Sequence, residues 1–134
     1  MKLQPDKSSA PLVRAYDAQW LQIDDQRFTQ SVVVSSLTGH HPRTWAPATF
    51  SELNAAYLQE LADEGAELVI LGTGRQLRFP PPDWLAPFAR RRIGLESMDT
   101  AAACRTYNIL AGEGRKVLAA LLLEATAPVN LVRS

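Results

Sequence analysis

Two short segments carry the residue types best able to bind a ligand. They are Gly72-Thr73-Gly74 and, about 25 residues on, Ser97-Met98-Asp99-Thr100. The first ends a continuous apolar run, Glu67–Leu71, that reads as a central parallel strand, and the second ends a short strand, Gly94–Met98. Ligands of such sheets collect outside the carboxyl ends of the strands. If the two strands are neighbours, the turn and the helix start share one crevice. Glycine lets the backbone approach a ligand and take positive φ, and a helix start adds free N–H donors and partial positive charge. An anion site is one reading; a tight strand exit beside a capped helix is the other. The turn lacks the third glycine of a dinucleotide fingerprint and the Lys and Ser/Thr of a phosphate loop. Asp99 at the helix cap would repel an anion.

Thr100, Cys104 and Asn108 are four residues apart and share a helix face. A buried Asn108 needs partners, which neighbouring backbone can supply, and Cys104 packs as a small hydrophobe. Arg105 and Glu96 are expected to pair near the crevice. A nucleophilic Cys104 would need a base, such as His40 or His41, and an orienting group. Its mid-helix position gains little from the helix dipole. His40 and His41 are adjacent, point apart, and have no third ligand at metal-binding spacing. The candidate crevice is therefore Gly72, Thr73, Gly74, Glu96, Thr100, Arg105 and Asn108, with no catalytic residue, metal or cofactor expected. A second cluster, Trp84, Leu85 and Phe88, lies between Pro80-Pro81-Pro82 and Arg90-Arg91-Arg92. It reads either as core or as a partner surface with aromatic anchors and an arginine rim.

The elements that must position these residues follow from periodicity. Residues 1–11 read as a loose arm and 127–134 as a tail, leaving one domain over 12–126. Val13 to Phe28 alternates like antiparallel strands turning at Asp24-Asp25, and Val32-Val33-Val34 suits a buried strand. A helix is predicted from Phe50 to Glu64, with Thr49 and Glu52 as a capping box and Gly65 as its stop. A short helix from Trp84 to Arg92 is expected with Asp83 as cap. A longer one is expected from Asp99 to about Ala111, closed by Gly112. Val117–Leu123 reads as a last strand, although its Ala and Leu content also permits a helix. The expected class is α/β: a compact three-layer domain with a mixed central sheet, N-terminal antiparallel strands and then αβαβαβ.

The 134 residues are 46% hydrophobic and 21% charged, as in an ordinary globular domain rather than a disordered chain. Net charge is zero, so bulk electrostatics gives no argument for nucleic acid or a membrane surface. The charge is uneven, however. Residues 1–74 hold five basic and nine acidic side chains, and residues 75–116 hold eight basic and four acidic. This places a modest basic surface around Arg90–Arg92. No apolar run reaches membrane-spanning length. Met1–Pro11 resembles neither a secretory signal nor an Arg-rich transit peptide. With Cys104 as the one cysteine, a reducing cytoplasm is expected.

The segments Leu68-Val69-Ile70-Leu71-Gly72-Thr73-Gly74, Phe79-Pro80, Gly94-Leu95-Glu96-Ser97-Met98-Asp99-Thr100 and Ala103-Cys104-Arg105-Thr106-Tyr107-Asn108, then Leu110-Ala111 and Glu113-Gly114-Arg115, form a recognisable series. Over roughly residues 12–124 the chain resembles the domain-of-unknown-function 498/598 family. That family includes a mitochondrial complex I assembly factor and an adipogenesis-associated protein. The resemblance implies a three-layer α/β fold with a mixed sheet, and it carries no established activity, cofactor or catalytic residue. The mitochondrial relative works through protein partners at a membrane complex; without a transit peptide, a prokaryotic member is expected here. The leading expectation is a non-enzymatic interaction or assembly protein using Trp84, Phe88, Arg90, Arg91 and Arg92. The alternative is a small-molecule or anion-binding protein, with or without catalysis, using the crevice.

Overall fold

A computed structural model of the protein describes residues 9–124. Most of the expected N-terminal arm and the tail after residue 126 lie outside the described residues. The strands are β1 (Val13–Tyr16), β2 (Leu21–Ile23), β3 (Gln26–Phe28), β4 (Val32–Ser35), β5 (Arg43–Thr44), β6 (Leu68–Gly72), β7 (Gly94–Met98) and β8 (Val117–Leu121). The helices are α1 (Ala55–Ala62), α2 (Ala86–Arg91) and α3 (Thr100–Gly112). β1–β3 form an antiparallel three-stranded sheet, with the β2–β3 turn at Asp24-Asp25. The other strands form a five-stranded mixed sheet in the order β5-β4-β8-β6-β7. In it β7, β6 and β8 run parallel, and β4 joins β8 antiparallel.

The expected α/β architecture is therefore present, and the 117–123 segment is a strand at the sheet's centre. The reason is side-chain alternation. In β8, Val117, Ala119 and Leu121 enter a core shared with α3 and the small sheet, while Leu118 and Ala120 enter a core beneath α1 and α2. β6 divides likewise, Ile70 to the first core and Val69 and Leu71 to the second. Covered on both faces, these strands need apolar residues at every position.

The helix ends required correction. Phe50–Glu52 is only a 3-10 turn, and Thr49 makes no side-chain cap. The capping box fails because Leu53 leaves the turn in extended geometry and is buried in the α1-side core. Asn54 then caps α1, its side chain accepting from the Tyr57 amide at 3.0 Å. Glu52 instead accepts from the Ala48 amide. Gly65 has φ +98 just past the end of α1, as a helix-stopping glycine should. Asp83 lies inside a 3-10 turn, Pro82–Leu85, and caps nothing; Leu85 precedes α2 without a side-chain bond. Asp99 does cap α3, accepting from the Ala102 amide at 2.9 Å. Gly112 is the last residue of α3 and does not close it; the left-handed position is Gly114 at φ +83.

α3 also fastens the small sheet. Asn108 accepts from the Val13 amide and donates to the Val13 carbonyl, both at 2.8 Å. The Tyr107 hydroxyl donates to the Pro11 carbonyl. Asn108 thus completes a main-chain pairing for β1 that no strand of the large sheet provides. Asn108→Ala would leave two backbone groups without partners, at about 1–3 kcal/mol. Urea unfolding should show that loss, and hydrogen exchange should show the Val13 amide losing protection before the β6 amides.

Candidate functional site

The parallel β6–β7 pairing sets Gly72 opposite Met98 and brings the Gly72-Thr73-Gly74 turn against the start of α3. The two ends are joined tightly. The Thr100 amide donates to the Gly74 carbonyl at 2.9 Å. The Thr100 hydroxyl accepts from the Gly74 amide at 2.9 Å and donates to the Leu122 carbonyl at 2.7 Å. The Thr73 amide donates to the Met98 carbonyl, and its hydroxyl donates to the Gln76 carbonyl while accepting from the Arg78 amide. Gly72 allows α3 to lie this close, since a Cβ there would stand 3.0 Å from Thr100 Oγ1.

Beside this junction a cleft of about 440 Å³ opens between three elements. Its walls are the β1–β2 connection (Tyr16, Asp17), the α3 start (Asp99, Thr100) and the chain after β8 (Leu122, Glu124), with Gly74 and Arg75 at its floor. The Glu124 carboxylate accepts from the Arg75 amide and the Arg78 guanidinium, each at 3.3 Å. Gly74 has φ +98, which strains any other residue, and a Cβ there would also push the Glu124 carboxylate aside. The turn does present donors to an anion, and the anion is the chain's own. With the Thr73 and Gly74 amides also bonded, the turn's donors are spent inside the fold. Asp17, Asp99 and Glu124 leave the lining predominantly acidic.

Gly74 and Thr100 of the candidate crevice line the cleft; Gly72 and Thr73 lie just behind them. Arg105, Glu96 and Asn108 do not line it. Arg105 donates to the Tyr16 hydroxyl at 2.9 Å instead of pairing with Glu96. The reason is helical phase: Arg105 and Asn108 face the small sheet, whereas Glu96 lies on β7 at the far edge of the large one. Burial pushes the Cys104 thiol up to about 12, against a smaller lowering by Arg105. Such a thiol is protonated packing, not a nucleophile. His40 lies 3.8 Å from Glu64, which also pairs with Arg43, while His41 is exposed. Among the described residues no group of three or more His, Cys, Asp or Glu side chains is placed to hold a metal. Of the second cluster, Phe88 is 2% exposed and belongs to the core, and Trp84 is half-buried against it. Arg90 and Arg92 are exposed, and Arg91 pairs with Asp63 at 2.7 Å. Sequence reasoning missed Glu124 and Tyr16, which reach the site from 46 to 89 positions away along the chain. It also missed Leu77 and Phe79, 52% and 70% exposed; their place between Arg residues and a proline run was the available signal.

A mixed five-stranded sheet sandwiched between two helices and a helix-plus-small-sheet layer, with a sealed Gly-Thr-Gly exit, defines the class. The chain belongs to the family described as protein of unknown function (DUF498/DUF598), whose model matches residues 13–122. A mouse relative named NADH dehydrogenase [ubiquinone] 1 alpha subcomplex assembly factor 3 is 32% identical over 91 residues, 60% of this chain and 49% of that protein. The chain thus spans about half the length of that curated relative. A Bordetella parapertussis protein of known crystal structure is 32% identical, with TM-score 0.78 over 85% of this chain and 96% of that one. A Xanthomonas campestris protein solved by NMR is 30% identical, with TM-score 0.78 over 99% and 100%. No helix of the described residues is long and apolar enough to cross a membrane.

Two measurements check the site's internal logic. Gly74→Ala should destabilise by about 1–3 kcal/mol from strain at positive φ and the clash with Glu124. In a Glu124→Ala background the same substitution should cost at least about 0.5 kcal/mol less, which a double-mutant cycle reads directly. Second, the Cys104 and Tyr107 pKa values are both raised by burial. The folded state therefore holds protons that the unfolded state releases, and stability falls as pH rises past the ordinary thiol value of 9.0. Urea midpoints at pH 8 and 10.5 should show that fall, and Cys104→Ala should flatten the slope.

Proposed function

We propose that the chain is a non-enzymatic protein-interaction or complex-assembly factor that engages a protein partner through the loop carrying Leu77 and Phe79. The observation that carries this reading is the exposure of those two side chains, 52% and 70%, on a loop that is itself held firmly. Thr73 bonds the loop at Gln76 and Arg78, Arg78 reaches Glu124, and Pro80-Pro81-Pro82 stiffens the exit. Burying each large apolar side chain yields about 1.5–3 kcal/mol, and a pre-ordered loop loses little entropy on binding. Further along the chain, half-buried Trp84 stands before α2 and the exposed Arg90 and Arg92 at its end. Relatives that carry the name of an assembly factor support the reading; their partners are their own. A reducing compartment, the cytoplasm, suits a chain whose thiol is packed in the core.

A second reading rests on the 440 Å³ cleft: binding of a small molecule, with or without catalysis. Its acidic walls suit a ligand with an amine better than an anion, which would have to displace Glu124. A metabolite thermal-shift screen separates the two readings. A ligand whose stabilisation disappears in Gly74→Val favours the cleft.

Phe79→Ser and Leu77→Ser should each change folding stability by no more than about 0.5 kcal/mol, as surface substitutions do. A partner recovered by affinity capture with the unaltered chain should be lost with the double variant. Equal recovery by both chains would sink the surface assignment.

A further inference from the structure

The large sheet ends on one side at β7. Its inner side pairs with β6 through five residues, Gly94 to Met98, and among the described residues no strand pairs with its outer side. Two bonds fix which backbone groups face which way. The Gly94 amide donates to the Glu67 carbonyl, and the Met98 carbonyl accepts from the Thr73 amide, both toward β6. In a parallel strand successive residues alternate their backbone groups between neighbours. Gly94, Glu96 and Met98 therefore bond inward. Leu95 and Ser97 turn their N–H and C=O groups outward, and no described residue bonds them.

Such an edge invites another strand. Its centre is guarded by Glu96, which is exposed and makes no ion pair among the described residues. In an antiparallel pairing Leu95 and Ser97 would take the hydrogen-bonded positions. Glu96 would then sit at the intervening non-hydrogen-bonded position, where opposed side chains come closest. A second copy of this chain, placed to use all four free groups on each edge, would set Glu96 directly against Glu96. Like charges there are repelled. A basic side chain there is attracted instead. The residue two places away along the partner, on the same face, meets Met98, a partly buried member of the α3-side core. Arg90 and Arg92, exposed just before β7, disfavour a uniformly basic strand.

We propose that the outer edge of β7 accepts an extended segment of a protein partner as a sixth, antiparallel strand, selected by a single Lys or Arg opposite Glu96, and that Glu96 prevents self-pairing at the same edge. This surface extends the reading of the chain as an interaction protein. The two fail separately, because the Leu77 and Phe79 variants leave β7 untouched.

The chain itself supplies the probe. Glu96→Lys places a basic residue at the centre of an extended strand of matching length. Equimolar wild-type and Glu96→Lys chains should associate at least tenfold more tightly than either alone, by sedimentation, with amide shifts at Leu95 and Ser97. Raising salt should weaken the mixture. Glu96→Gln in place of the wild-type chain should remove most of the gain without disturbing the fold. Ser97→Pro, which deletes an outward N–H at an edge where proline is tolerated, should abolish pairing. The proposal is overturned if the mixture associates no better than its components, if the gain survives Glu96→Gln, or if the wild-type chain alone already pairs through Leu95 and Ser97.

Discussion

The Thr100 hydroxyl is the bond on which the upper half of the structure turns. It donates to Leu122 and accepts from Gly74, while the Thr100 amide donates to the Gly74 carbonyl. One buried side chain thereby ties the end of β6, the end of β8 and the start of α3. Because its donor and its acceptor role are both used, the junction carries no desolvation penalty for an unmet polar group. Gly72 fits with it, since a Cβ there would press on Thr100, Ala103 and Leu121, each about 3.0–3.1 Å away. Gly74 fits as well, because Glu124 closes over the turn. The glycines that look like a ligand loop are the condition for helix, strand and turn to meet.

The fold was legible wherever both faces of a strand are covered. β4, β6 and β8 need apolar residues at successive positions; Val32-Val33-Val34 and Val69-Ile70-Leu71 announce this directly, whereas the Ala and Leu content of Val117–Leu121 left a helix open until both faces were seen to be covered. The start of α1 was not legible in the same way. Thr49 and Glu52 match a capping pattern, but burial of Leu53 in the core ends that turn, and Asn54, which the pattern did not single out, caps α1. Tertiary packing overrode the local capping signal. The small sheet was legible as strands but not as a separate sheet, because what separates it from the large one is α3. Asn108 satisfies Val13 where a strand would otherwise have done so.

The site was half legible. That the Gly-Thr-Gly turn and the α3 start share one place follows from parallel neighbours, a topological inference that the sequence supports. What fills that place does not. Glu124 meets Arg78 from 46 residues away, and Tyr16 meets Arg105 from 89. No spacing rule connects such pairs. The expected Arg105–Glu96 pair fails because nearness in sequence to one helix start says nothing about the phase at which each side chain leaves it. Phe88 illustrates the converse. An aromatic next to an arginine run resembles an anchor on paper, but the α2 face carrying it is the one that closes the core.

These placements bear on where binding free energy can come from. A group already bonded inside the fold must break that bond before it helps a ligand, so its net gain is small. That applies to the amides of Thr73, Gly74 and Arg75, to Thr100 and to Asn108. Two kinds of surface group among the described residues are not committed in this way. One is apolar, Leu77 and Phe79 on a pinned loop. The other is the outward backbone of Leu95 and Ser97, flanking the Glu96 carboxylate, which forms no ion pair among the described residues. Both lie away from the cleft floor, on elements that the sealed junction holds in place. The Thr100 bonds tie together the ends of the elements that carry both groups, so their positions are set by the fold itself.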